Sequence, residues 1–446
     1  MKGRWAGQPF VLEEWQRRDI TRPLLALDGN GKRVHREALI GLPRKNGKSE
    51  LASALALYLL LADGEYGAEV YSVAGSRAQA RIVFRTASEM LRASPLRSAV
   101  KVYRDAIEVP ETASVYRVLS SDAKLAHGYN PHGYIVDELH VHPNGDLLEA
   151  LRTGTAARER PLGVSITTAG AHRSGIAWDT YERGRADKDP RMFFYWQGAP
   201  EKASVDDLDA AMAANPASWV TRDFLEDQRR ALPPAVYARL HMNLWWEGDT
   251  GTWVPREAWE ACKGKVELSL DAPTVIAVDA ASKRDTTAVA LVQTVGDKYL
   301  SKVWHFAVDE SVGFFDYGEV ESLIRELATT YQVRRIGFDP FQFVRSAQIL
   351  DSEGLPVETF PQNDTRMVPA SQALYDAIME TRLMHDGDEL TTEQVMAAGV
   401  VETVRGWRLH KRKSNRPIDS TIALAMAVQL AEWERAQGDG PRIFVI

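Results

Sequence analysis

The residues Arg44-Lys45-Asn46-Gly47-Lys48-Ser49 combine cations, small side chains and a hydroxyl in one short segment, the donor set that phosphate groups need. They lie between an apolar run at 38–42, read as a strand, and an apolar stretch at 51–62, read as a helix. In a strand–turn–helix setting, backbone N–H groups at the helix N-terminus cradle phosphates. Lys48 would then reach the β/γ oxygens and Ser49 would ligate Mg²⁺. The nearest upstream glycine, Gly41, falls one residue too early for the standard phosphate-loop spacing, and Leu42 occupies that place. The triplet alone is a loose match. Its complement is Tyr134-Ile135-Val136-Asp137-Glu138, an apolar strand ending in two carboxylates. Asp137 would hold the Mg²⁺ largely through water, and Glu138 would orient and deprotonate the attacking water. An acidic pair at a strand end is ordinarily a surface feature. The preceding phosphate loop is what tips this pair towards catalysis.

Further residues extend the same chemistry. Thr167 and Thr168 follow the apolar strand 163–167 and suit γ-phosphate sensing. Gln16 carries an amide able to read an adenine edge by paired hydrogen bonds. An arginine must also meet the transition-state charge. Arg44 is a candidate within the loop, while Arg77, Arg158 and Arg173 could act in cis or from a neighbouring subunit. A second carboxylate set lies towards the C-terminus. Asp279 ends the strand 275–278, Asp339 ends the strand 335–339, and Asp419 opens the last helix, 418–437. Singly these are turn residues or helix-start charges. Jointly, in that element order, they resemble the ribonuclease-H-type arrangement, in which carboxylates hold two metal ions that activate water and stabilise the leaving oxygen. Hard oxygen ligands favour Mg²⁺ or Mn²⁺. Asp285 is a fourth candidate. The basic run Arg408, Lys411, Arg412, Lys413 and Arg416 leads into Asp419, where a phosphate backbone would pass.

Such residues need a scaffold. Apolar strands alternating with helices at 38–42, 51–62, 68–74, 79–92, 134–136 and 163–167 give an α/β reading, a mostly parallel sheet flanked by helices. The composition changes between 199 and 259, where helical text is broken by Asn215-Pro216 and Pro233-Pro234. A second α/β pattern starts at 274, with a hairpin (275–280 and 287–293), a strand at 299–307 and a helix at 318–331. The expected organisation is therefore an ATPase domain at 1–200, a helical connector at 201–262 and a nuclease domain at 263–446. A chain of 446 residues exceeds one compact core. The single cysteine, Cys262, excludes an internal disulfide framework, and no apolar stretch is long enough for a bilayer. The N-terminus lacks a secretory pattern, so the cytoplasm is expected. Net charge of −7 argues against static binding of nucleic acid over the whole surface and leaves room for local basic patches.

The motifs together resemble the terminase large subunit family of tailed bacteriophages. The segments that carry the resemblance are the stretch from Gly7 to Gln16, PRKNGKS (43–49), AGSRAQA (74–80), HGYNPHGYIVDELHVHP (127–143) and SITTAG (165–170). They continue with Ala214-Asn215-Pro216, Leu244-Trp245-Trp246, VDAASKRDTTAVALV (278–292), FDP (338–340) and RPIDSTIALAMA (416–427). The resemblance implies a P-loop ATPase domain followed by a ribonuclease-H-like nuclease domain. It implies ATP hydrolysis through Lys48, Ser49, Asp137 and Glu138, with Thr167 and Thr168 in the coupling motif, and nuclease metals on Asp279, Asp339 and Asp419. It further implies ATP-driven translocation of double-stranded DNA into a procapsid and cutting of the concatemer in the host cytoplasm. Its implied partners are a small terminase subunit, the portal protein and further copies of the chain, monomeric when free and a ring of five on the portal. The rival readings are a helicase or repair ATPase with an unrelated tail, a stand-alone nuclease with a regulatory ATP site, and a capsid-assembly DNA adaptor with a decayed nucleotide loop.

Overall fold

The computed structural model describes residues 8–74, 77–119, 128–142, 145–170, 173–245, 253–280, 286–307, 317–403, 405–410 and 417–437. The chain forms two compact units, Met1–Glu247 and Gly248–Ile446.

The first unit is built on eight strands: β1 (Glu37–Gly41), β2 (Glu69–Val73), β3 (Lys101–Val102), β4 (Ala106–Val109), β5 (Ser114–Val118), β6 (Gly133–Asp137), β7 (Leu162–Thr167) and β8 (Met192–Trp196). Their order across the sheet is β3-β4-β5-β2-β6-β7-β1-β8. β5, β2, β6, β7, β1 and β8 run parallel, and β3 and β4 close one edge as an antiparallel meander. The central strands are buried on both faces and read as unbroken apolar runs, as parallel strands between helices must. Helices Lys48–Leu61 and Arg77–Arg92 bury Leu51, Leu55, Leu59, Val83, Phe84 and Leu91 against Ile40, Val70, Ile135 and Val164.

Gly41 has a packing role. A Cβ there would overlap the Trp196 indole on the neighbouring β8, so this glycine serves close approach of two strands and not the phosphate turn. A buried ion pair ties the entry segment to the sheet: Arg33 holds the Asp63 carboxylate at 2.5 Å, and His132 Nε2 lies 2.8 Å from the same group.

Part of the stretch expected as a connector packs into this first unit. Helices Leu208–Ala214, Arg222–Ala231 and Pro234–His241 share a core of Leu225, Tyr237 and Met242, against which Trp15 packs. Trp253 and the helix Arg256–Ala261 belong to the second unit, where the Trp253 indole donates to the Val395 carbonyl.

The second unit holds a mixed sheet of β9 (Pro273–Asp279), β10 (Thr287–Val295), β11 (Lys298–Phe306), β12 (Gln332–Phe338), β13 (Val357–Thr359) and β14 (Leu383–His385), in the order β13-β12-β9-β10-β11-β14. β9, β10 and β11 form the expected antiparallel set, and β12 joins β9 in parallel. A two-stranded ribbon, β15 (Gly399–Thr403) and β16 (Gly406–His410), packs beside helix Asp364–Met379. The closing helix Asp419–Gln437 lies over β9 and β10 and is almost wholly buried, which explains its lack of a polar face.

Candidate functional site

Three motifs meet at one end of the first sheet because three neighbouring strands end there in register. Gly41 of β1 pairs with Thr167 of β7, and Ile166 of β7 pairs with Asp137 of β6. The segment after β1 turns through two left-handed residues, Lys45 (φ 69°) and Gly47 (φ 73°), into helix Lys48–Leu61. This alternation aims successive N–H groups inward as an anion nest. Lys48 folds back over the loop and donates to the carbonyls of Leu42 (3.0 Å) and Pro43 (3.1 Å). Asn46 is buried, and its amide nitrogen donates to Asn215 Oδ1 at 2.7 Å while its oxygen accepts from the Ala217 N–H. The helical region after 200 therefore braces the phosphate loop directly.

Asp137 and Glu138 differ in electrostatic state. Burial and the adjacent Glu138 charge push Asp137 up to about 7, against the pull of Lys48. Burial acts on Glu138 the same way, but Lys48, His140, Arg44 and the Thr168 N–H outweigh it and hold Glu138 below the ordinary value. Glu138 is thus the ionised member of the pair, poised as a base. Its backbone is left-handed (φ 50°), a strained state for a non-glycine residue that the fold around it must enforce. His140 joins the motifs: its Nδ1 lies 2.9 Å from Thr167 Oγ1 and 3.3 Å from Glu138 Oε2. Thr168 is buried beside it, and the Ala169 N–H donates to Asn243 Oδ1.

Gln16 lies in the wall of a cavity of about 570 Å³, lined also by Phe10, Lys45, Gly47 and Trp219. It is 1% exposed, its oxygen accepts from the Glu13 N–H, and its Nε2 has no hydrogen-bond partner among the described residues. The Trp219 indole donates to the Lys45 carbonyl at 2.6 Å, so an aromatic wall is fixed to the phosphate loop itself. Among the candidate arginines, Arg44 lies close enough to act on Glu138. Arg158 does not reach the site of its own chain. Its donors are spent on Asn130, Glu65 and Gly67, beside the starts of β6 and β2, the end of the sheet opposite the loop. Arg173 pairs with Glu201 at 2.8 Å and lies over the Trp178 ring. The side chain of Arg77 lies outside the described residues.

In the second unit, Phe338 pairs with Val278, so the residues that follow them, Asp339 and Asp279, sit at adjacent strand ends. Asp419 opens the helix that crosses β9 and β10, and its Oδ2 accepts from Thr286, the residue before β10. Asp279 and Asp419 are buried, at 1% and 0% exposed, and Gln362 donates to Asp279 Oδ1 at 2.7 Å. Asp339 caps helix Pro340–Ser352 by accepting from the Phe341 N–H. Among the described residues no three acidic, histidine or cysteine side chains are already closed into a metal-holding group. The donor chemistry nonetheless fits a hard divalent ion, since two buried carboxylates and a third at the neighbouring strand end share one edge. Asp285, Lys411, Arg412, Lys413 and Arg416 lie outside the described residues, and Arg408 is paired with Asp364.

A family profile described as "Terminase large subunit, ATPase domain" matches residues 17–185, and a second, "Terminase large subunit, endonuclease domain", matches 302–434. The chain belongs to the terminase large subunit family. Among relatives, the large subunit of Enterobacteria phage HK97 terminase is 26% identical over 98% of this chain and 94% of its own length. That of Lactococcus phage SK1 is 22% identical over 91% and 84%. Among solved structures, a large terminase from a thermophilic bacteriophage aligns with a TM-score of 0.59 over 94% of this chain and 96% of that one, at 13% identity, a likeness of fold. A terminase large subunit carries an ATPase domain and an endonuclease domain, and this chain has both activities by that membership. The helicase and adaptor readings are not favoured.

Several residues of the site escaped the sequence reading. His140 stands inside the quoted segment 127–143 with no role of its own, and Trp219, Asn243 and Gln362 stand in no phosphate-binding or metal-binding pattern. Asn215 did stand in a quoted motif, but its partner Asn46 lies 169 residues away.

Proposed function

We propose that Lys48, Ser49, Asp137 and Glu138 carry out ATP hydrolysis in this chain, and that Asp279, Asp339 and Asp419 carry out DNA cutting. The observation that carries the first half is the alignment of the β1, β7 and β6 ends, which gathers loop, hydroxyls and carboxylates within one sheet edge. Backbone N–H groups from Arg44 to Ser49 cradle the phosphates, and Lys48 leaves its carbonyl partners to neutralise them. Ser49 and Asp137 would hold Mg²⁺, and a cation there would favour the carboxylate of Asp137 over its buried protonated form. Glu138 takes the proton from water, and Thr167 and Thr168 report the state of the γ-phosphate. Gln16 and Trp219 hold the adenine. A nucleotide in this place is supported by the large terminase of the thermophilic phage, which was also solved in complex with ADP.

In the second unit two Mg²⁺ or Mn²⁺ ions, held by the three aspartates, would supply an activated water and stabilise the leaving oxygen. ATP hydrolysis resides in 1–200 with the connector helices packed on it, and cutting in 263–446. The chain works in the host cytoplasm as a ring of five on the portal of a procapsid, moving double-stranded DNA selected by a small subunit. The test is a paired assay with Mn²⁺. Glu138→Gln should lose ATP turnover and still cut plasmid, whereas Asp279→Asn should keep turnover and stop cutting. A folded variant of either kind that loses both activities contradicts two separate sites.

A further inference from the structure

We propose that the outer edge of the first sheet, with helix Arg77–Arg92 beside it, is a binding surface for the phosphate backbone of duplex DNA. The inference rests on the reading that this chain moves DNA, and adds where the ATPase unit touches it. Residues 77–117 carry eight Lys and Arg against four Asp and Glu, in a chain whose net charge is −7. Arg85, Arg92, Arg97 and Arg104 are all exposed, and none makes an ion pair or a side-chain hydrogen bond with a described residue. Elsewhere in the same unit Arg33, Arg152, Arg158, Arg173 and Arg183 are each paired with a carboxylate, and the exposed arginines without a described partner, such as Arg22 and Arg191, stand far apart in the sequence from this group. Clustered cations without counter-charge repel one another, and a polyanion relieves that repulsion.

The fold holds these cations together. Arg81 grips Asp105 through two hydrogen bonds of 2.8 Å, which fastens the turn after β3, and Arg104 with it, to the first half of the helix. β3 runs back along the helix, so Arg97 and Arg92 lie towards one end of the strip and Arg85 and Arg104 towards the other. Arg85 and Arg92 are two helical turns apart, roughly 10 Å, a length over which a duplex presents about six phosphates. Glu89 stands between them but is only half exposed. Leu96 and Tyr103, 51% and 52% exposed, are interleaved with the arginines and offer apolar surface to the sugars. None of these residues belongs to the nucleotide site.

The test uses the full chain and a labelled duplex of random sequence. Binding is followed by anisotropy across a salt series, and ATP turnover is measured with and without duplex. Replacing Arg85, Arg92, Arg97 and Arg104 together by Ala should leave turnover without DNA unchanged. It should abolish most duplex stimulation and flatten the slope of log K against log salt by about 0.9 for each phosphate no longer neutralised. The matching Arg→Lys set should restore the slope, and Arg222→Ala with Arg230→Ala, which removes exposed but paired arginines, should not alter it. An unchanged slope in the Ala variant overturns the proposal. So does a change in self-association with duplex binding intact, which would assign the strip to another copy of the chain. A wild-type chain that neither binds duplex nor responds to it sinks the DNA-moving reading instead.

Discussion

His140 stands where the two halves of the ATPase machinery touch, and its replacement gives a sharp test. The Thr167 hydroxyl gives its proton to the Thr168 carbonyl at 2.9 Å, so Oγ1 is an acceptor towards the imidazole. Nδ1 of His140 must then carry the hydrogen and donate it to Thr167 at 2.9 Å, with the Glu138 carboxylate 3.3 Å away. Burial drives this imidazole down to about 4, against the attraction of Glu138, so it is a neutral donor at pH 7. His140→Ala removes a hydrogen bond to a buried hydroxyl and a close polar contact with a charge, together roughly 1–3 kcal/mol. Where those bonds tighten in the transition state, kcat for ATP falls about five- to hundredfold with little change in KM. His140→Asn, which keeps an N–H near the same place, should recover most of the loss. The pH dependence has a definite sign. The unfolded chain binds a proton near pH 6.5 and the folded one only near 4, so stability is full above about 6.5 and falls as the pH drops towards 4, by about 3 kcal/mol at most. Calorimetry of wild type and His140→Asn between pH 7 and pH 4 should show that acid-side fall shrinking in the variant. Wild-type kcat in His140→Ala, with an unaltered profile of Tm against pH, would refute the reasoning.

Asn215→Ala removes the shortest hydrogen bond of the Asn46 amide and the donor to the buried Ala211 and His241 carbonyls, three bonds of one side chain, and should cost roughly 2–4 kcal/mol. Calorimetry should show it as a Tm several degrees lower, and steady-state kinetics as a raised KM for ATP. Gly41→Ala should depress Tm by a comparable amount through the clash with Trp196 while leaving the loop chemistry intact; a neutral result would mean that β8 shifts freely. Gln362→Leu removes the amide that positions Asp279 and should raise the Mg²⁺ concentration needed for half-maximal cutting, with ATP turnover as the unaffected control.

The strands that carry chemistry were legible because each has an apolar run leading into a polar motif, as ALIG of β1, YIV of β6, VIAV of β9 and IGF of β12 do. β1, β2, β6, β7, β9, β10, β11 and β12 lie within a few residues of the runs read from sequence. The meander β3–β5 was not. Its sequence from 101 to 118 mixes charges and apolar residues because an edge strand buries one face only, as the alternating burial of β4 shows. β13 and β14 span three residues each, too short for any period to show, and helix Asp364–Met379 hides behind an internal Pro369 that normally signals a break. The connector's helices read correctly as helices, yet their packing onto the phosphate loop depends on Asn46, Trp15 and Trp219, whose partners are far away along the chain.

The same distinction governs the site. A phosphate loop and a carboxylate pair are written within a few residues, because the groups that act together there are joined by the backbone and need only the right turn. Positioning groups obey no such rule. His140 meets Thr167 across 27 residues, Asn243 meets Ala169 across 74 and Gln362 meets Asp279 across 83, so strand order and not spacing selects them. Arg158 shows the converse. As a bare cation near the coupling motif it was as good a finger in cis as Arg44, until the fold committed its guanidinium to three acceptors at the far end of its own sheet. Asp339 stands between the two cases. Its place after a strand is local and readable, but its carboxylate also caps the next helix, so capping and metal binding compete for the same oxygens. The cap therefore fixes the Asp339 carboxylate in place at the strand end beside that of Asp279, a constraint that the sequence alone did not show.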